Sequence, residues 1–153
     1  LPISLIGSVA GAMPPVVGYT AVKGGIDLCV FLLFLLVFFW QMPHFFAIAL
    51  YRLEDYRKAE IPVHPLIKGI KATKIQILFY TLAFIGTNFL LFSQSYVSYV
   101  YLGVSFVLGL FWLYSIIQGW SEKNQQDATQ WAKKIFFLSL AVILGISFFL
   151  CIN

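Results

Sequence analysis

Four stretches of this sequence, 28–50, 75–93, 97–118 and 134–152, run apolar and essentially uninterrupted for about twenty residues each. A helix of that length spans roughly 30 Å, the thickness of a bilayer's hydrocarbon core. Backbone amides cannot stay unpaired at that depth, so each stretch is predicted to be a helix. The predicted fold class is therefore all-α, a polytopic transmembrane helix bundle with four full spans. A fifth segment, 1–22, is also apolar, but Gly7, Gly11, Pro14, Pro15 and Gly18 punctuate it. Any helix there is kinked or restarts near the proline pair. Inside a membrane such a break needs backbone buried in protein or lining a cavity; an ordinary proline kink is the competing reading.

Composition agrees with the spans. The chain is 61% apolar and 10% charged, against about half and a quarter in soluble domains, which excludes a water-soluble enzyme and a disordered chain. Its ten Lys and Arg residues are too few and too local to track phosphates, so membrane lipid rather than nucleic acid is the expected surrounding. Cys29 and Cys151 lie in apolar runs with neither a CxxC nor a CxxCH pattern and read as small buried hydrophobes. Both fall near one membrane face, where a disulfide is conceivable but unsupported. The chain opens on Leu1 inside an apolar stretch, without a basic leader, and is expected to be a fragment lacking an N-terminal part.

The connections differ in character. Those at 93–96 and 23–27 are short, whereas 51–74 and 119–133 are long and polar. With helices alternating in direction, the two long connections share one side, carrying Arg52, Arg57, Lys58, Lys68, Lys71, Lys74, Lys123, Lys133 and Lys134. The other side carries Lys23 alone. By the positive-inside rule the basic side faces the cytoplasm, leaving Asn153 outside. Trp120 and Trp131 border the second long connection, as an aromatic belt would.

Chemistry concentrates in residues 40–74, WQMPHFFAIALYRLEDYRKAEIPVHPLIKGIKATK. At about 100° per residue, Trp40, His44, Ile48, Tyr51, Asp55 and Lys58 fall near one stripe with Arg52 beside it, provided that the helix continues through Tyr51. An ionisable group at membrane depth is costly and faces a cavity or a partner, which singles out His44; a histidine hydrogen-bonded to a neighbouring helix is the plainer alternative. Asp55 reads either as a Mg²⁺ and phosphate contact among Arg52, Lys58 and Lys68 or as a solvated, salt-bridged helix end. Glu54 and Glu60 lie off the stripe and belong to the second reading. His64, between prolines in IPVHP, reads as an exposed loop histidine.

GAMPPVVGY at 11–19, WQMPHFFAIA at 40–49, YRLEDYRKAEIP at 51–62, the Lys68-Gly69 pair and WAKKIFFLS at 131–139 together resemble the protohaem IX farnesyltransferase branch of the UbiA-type membrane prenyltransferases. The resemblance covers almost the whole chain in order, and WQMPHF followed by YRxxDYxxAxIP carries most of its specificity. It implies a nine-helix protein about twice as long, of which this chain is the C-terminal half and an Asn- and Asp-rich first motif is missing.

The implied activity moves the farnesyl group of farnesyl diphosphate onto a vinyl group of haem B. The product, haem O, serves terminal oxidases or becomes haem A, making haem A synthase and terminal oxidase assembly the expected partners. The implied location is the bacterial cytoplasmic (inner) membrane. The family's second acidic motif maps onto Asp55 and Tyr56, with Asp55 as the Mg²⁺ ligand. The wider superfamily repeats an acid four positions on, where this chain has Ala59, so metal loading leans on the missing motif. Arg52, Lys58 and Lys68 would steady the diphosphate, Trp40 would wall the cavity, and His44 would contact haem iron or handle a proton or water near the vinyl carbon. Such a fragment is expected to be inactive alone. Half of an inverted-repeat transporter and a prenyltransferase with another acceptor are the alternatives.

Overall fold

The computed structural model describes residues 2–121 and 125–152, all helical apart from turns and short connections. Lys123 and Asn153, both used in the topology above, lie outside the described residues. The elements in chain order are α1 (Pro2–Gly11), α2 (Met13–Lys23), α3 (Leu28–Tyr51), α4 (Leu53–Lys58), α5 (His64–Ser93), α6 (Tyr99–Gln118), a 3₁₀ turn (Gly119–Ser121) and α7 (Gln125–Cys151). Among the described residues five helical stretches are long and apolar enough to cross a membrane: α3, α5, α6, α7 and Leu5–Lys23, which runs through α1 and α2.

The N-terminal segment breaks at Ala12, as its prolines demand. Pro14 and Pro15 have no N–H to return to carbonyls four residues back, but both are tolerated in the first turn of a new helix, and α2 begins there. Gly24, at φ 75°, closes α2 by donating its N–H to Thr20. Asp27 then opens α3, its carboxylate accepting from the Val30 N–H at 3.0 Å and from the Tyr19 hydroxyl at 2.7 Å. These two donors hold the Asp27 carboxyl below its ordinary range.

Helix α3 is the hub, packing on α1, α2, α5 and α7, while α6 lies against α5 and α7. Ile77, Phe84 and Leu91 of α5 bury one stripe at seven-residue spacing, meeting Leu36, Phe46, Trp112 and Ile135 in the core. Buried hydroxyls satisfy themselves locally: Thr81 donates to Ile77 and Ser115 to Phe111 carbonyls, which makes them tolerable in an apolar interior. Tyr101 donates to Asn88 Oδ1 at 2.7 Å and fastens α6 to α5. The outer faces carry Phe79, Val107, Leu144 and Phe148, each more than half exposed, as a surface bathed in hydrocarbon requires. The chain is a multi-pass membrane protein.

Four expectations need correction. The long connections are mostly helix: α5 starts at His64 rather than near 75 and α7 at Gln125 rather than 134, leaving 59–63 as the coil between α4 and α5. Lys, Gln and Ala sustain helix as well as apolar residues do, so charge marks where a helix leaves hydrocarbon, not where it ends. The stripe from Trp40 to Lys58 is cut at Arg52, whose φ −102° and ψ 24° separate α3 from α4. Trp131, read as a belt residue, is 4% exposed; its indole donates to Ser115 O at 3.0 Å and carries the Lys74 ammonium 5.0 Å above its ring. Cys151, read as a small buried hydrophobe, is exposed at the last turn of α7, whereas Cys29 is buried as expected; both are free thiols.

Candidate active site

The block WQMPH sends successive side chains to different neighbours. Trp40 Nε1 donates to the Ser139 carbonyl at 2.7 Å, and His44 Nδ1 lies 2.7 Å from the Ser139 hydroxyl. One residue of α7 thus grips two residues of α3 one turn apart. Trp40 stacks on the imidazole and Phe136 lies against it, each with ring centroids 4.9 Å away. His44 is 9% exposed. Gln41 faces α1, where a Cβ on Gly11 would fall 2.1 Å from its Nε2, so a larger residue there would displace the Gln41 amide. Met42 sulfur accepts from Ser8 at 3.2 Å. Pro43, which donates no N–H, sits within α3 without ending it.

Past His44, the same helix lines a cavity of about 340 Å³ bounded by Gly7, Phe45, Ile48, Ala49, Tyr56, Ile61 and Val63. It is apolar along α3 and meets a hydroxyl only at Tyr56. The charged helix α4 adjoins that end: Arg52 pairs with Asp55 at 3.1 Å and Arg57 with Glu54 at 2.7 Å, all four side chains more than half exposed. Such exposed pairs contribute between nothing and about 1 kcal/mol. Tyr51 takes Arg52 and Lys133 on its ring at 5.1 and 5.6 Å, bringing the start of α7 to the same corner.

The structure therefore places Tyr56 on the wall of this cavity, Arg52 and Asp55 as an exposed pair on the adjoining turn and helix, and Trp40 and His44 earlier along α3. Lys58 ends α4, its side chain exposed. Lys68 lines a different cavity of about 260 Å³, with His64, Ile67, Ala72 and Gln76. His64 is no loop residue; it is the first residue of α5, 6% exposed, within 2.9 Å of the Thr73 hydroxyl and 5.1 Å from the Phe46 ring. Among the described residues no group of three His, Cys, Asp or Glu side chains converges as a metal cage. Mg²⁺ keeps most of its waters and takes one or two carboxylates besides phosphate oxygens, and Asp55 fits as one such contributor.

Residues 3–141 match the UbiA prenyltransferase family. The chain belongs to that family. Among curated relatives it is 49% identical to Protoheme IX farnesyltransferase of Protochlamydia amoebophila, over 93% of this chain and 49% of the relative. It is 43% identical to the protein of that name from Chromohalobacter salexigens, over 98% of this chain and 50% of the relative. With Protoheme IX farnesyltransferase 2 of Pseudomonas putida the identity is 42%, over 94% and 48%. The chain thus spans about half the length of the curated relatives it matches. No solved structure matches it. Family membership sets aside the transporter alternative.

Sequence reasoning missed Ser139 as a member of this site. A serine in an apolar helix is common, and its partner His44 stands 95 positions away; the only available signal is its place at the end of the WAKKIFFLS block.

Proposed function

We propose that the protein transfers the farnesyl group of farnesyl diphosphate to a vinyl group of haem B, forming haem O. The observation that carries this reading is the apolar cavity with the charged helix α4 at one end and the helix bearing His44 along its wall. Such a cavity suits a substrate with an anionic head and a hydrocarbon tail, and the names of the relatives supply the acceptor.

The allylic C–O bond breaks and its electron pair leaves with diphosphate. The farnesyl C1 joins the terminal vinyl carbon through the vinyl π pair, and the cation left on the inner carbon takes water, which loses one proton. Arg52 and Lys58 steady the departing charge, Lys68 serves it from the neighbouring cavity, and Asp55 would hold Mg²⁺, which would neutralise the leaving group. Tyr56 sits at the head of the cavity, and its apolar wall keeps water from the allylic cation until the vinyl group meets it. Trp40 walls the acceptor end, and His44 takes the proton of the added water. The residues 51–74 face the cytoplasm of a bacterial inner membrane and the C-terminus lies outside. Haem A synthase or terminal oxidase assembly consumes the product.

The two ends separate experimentally when the complete gene is expressed. Asp55→Asn removes the charge but keeps the shape, and raises KM for farnesyl diphosphate at least about tenfold, or ~1.4 kcal/mol, with haem binding unchanged. His44→Ala lowers kcat by about 10²- to 10⁴-fold, the usual worth of a proton-transfer group, with KM for farnesyl diphosphate unchanged. An Asp55→Asn protein of normal melting temperature with unaltered dependence on Mg²⁺ and farnesyl diphosphate contradicts the assignment of α4.

A further inference from the structure

We infer that Ser139 is a positioning residue that locks His44 as the Nδ1–H tautomer, leaving Nε2 a bare lone pair. A neutral imidazole carries one N–H and one acceptor nitrogen, and the partner of one nitrogen decides the character of the other. The Ser139 hydroxyl has one proton and two close neighbours, the Phe136 carbonyl at 2.6 Å and His44 Nδ1 at 2.7 Å. A carbonyl oxygen only accepts. At 2.6 Å two oxygens without a proton between them repel, so the Ser139 proton is committed to Phe136. The contact to His44 is then attractive only if Nδ1 carries the hydrogen and donates it to Ser139.

The neighbours oppose any other arrangement. Trp40 Nε1 donates to the Ser139 carbonyl at 2.7 Å, so the residue that orients the imidazole is itself held in register by the same face of α3. The rings of Trp40 and Phe136 flank the imidazole at 4.9 Å on either contact, which resists a ring flip exchanging the two nitrogens. His44 Nε2 has no hydrogen-bond partner among the described residues. The same device recurs at α5: Thr73 donates to the Gly69 carbonyl at 2.9 Å and stands 2.9 Å from His64 Nδ1.

The consequence for chemistry rests on the proposed role of His44. An Nε2 lone pair accepts a proton but cannot supply one, so His44 enters the reaction as the base for the water added at the vinyl-derived cation, and not as an acid. The proton moves from that water to Nε2 and then to solvent; no other reactant is needed.

The tautomer is measurable without substrate. The protein from the complete gene, labelled with ¹⁵N-histidine and solubilised in detergent, is recorded by two-bond ¹H–¹⁵N correlation, with His44 assigned by the signals lost in His44→Gln. The expected spectrum has His44 protonated at Nδ1 and bare at Nε2. Ser139→Ala releases the ring into a mixture containing the Nε2–H form, and lowers kcat about 10- to 100-fold, the loss typical of an orienting partner, with KM for farnesyl diphosphate unchanged. Nε2 protonated in the unmodified protein overturns the inference, as does a Ser139→Ala protein of normal melting temperature whose tautomer and kcat are unaltered. An Nδ1–H His44 in a protein that farnesylates no haem supports the role of Ser139 and overturns the functional reading alone.

Discussion

Gly119 shows how much a single position can be asked to do at the end of a membrane helix. A Cβ there would stand 2.1 Å from the Trp131 indole nitrogen, while the Gly119 carbonyl accepts from the buried Lys74 ammonium. Gly119→Ala forces the indole to move, at about 1–3 kcal/mol for such overpacking, read as a lower melting temperature in detergent; an unchanged melting temperature contradicts this packing. Asp27 gives a pH dependence with a definite sign. Its native pKa lies below the ordinary 3.8 because Tyr19 and Val30 donate to the carboxylate. The stability it lends is complete above that ordinary value and is lost as pH falls through the depressed one. Melting temperature should therefore fall on acidification less in Asp27→Asn than in the unmodified protein. At this scale the sequence was informative where a residue violated its surroundings. His44 stood out because an imidazole among phenylalanines needs a reason. Ser139 offended nothing, and His64 was hidden by its flanking prolines, although Pro65 is well placed in the first turn of a helix.

Elements were legible where hydrophobicity was continuous, and their ends were not. The four runs emerged as helices and the proline pair did split the first segment at Ala12, because both follow from a backbone's need for partners in hydrocarbon. The polar ends of α5 and α7 escaped because lysine and glutamine allow helix without requiring it. The interruption at Arg52 escaped because no Gly or Pro signals it, yet it ends α3 before Asp55. Within α5, Gly69 adopts φ 85° and ψ 164°, a region only glycine occupies comfortably. Gly69→Ala should cost about 1–3 kcal/mol and disturb Lys68 beside it, lowering the melting temperature and raising KM for farnesyl diphosphate together. A fully stable Gly69→Ala protein would show that α5 can straighten without penalty.

For the molecule as a whole, nine of ten basic residues on one proposed side set the orientation. Reporter fusions in the complete gene should give cytoplasmic signals at Lys68 and Gln125 and an external one after Asn153; an external signal at Lys68 reverses the orientation. Exposed phenylalanines and leucines surround the bundle, and in the proposed function the cavity beside α4 takes the isoprenoid tail with its charged head toward α4. The family follows from the match over residues 3–141, whereas haem as the acceptor is proposed. Membranes from cells expressing the complete gene, given haem B, farnesyl diphosphate and Mg²⁺, should yield a haem heavier by one farnesyl group and one water, less one proton lost with diphosphate, by chromatography and mass spectrometry. Unmodified haem B alongside farnesyl transfer to a different acceptor would overturn the proposed acceptor.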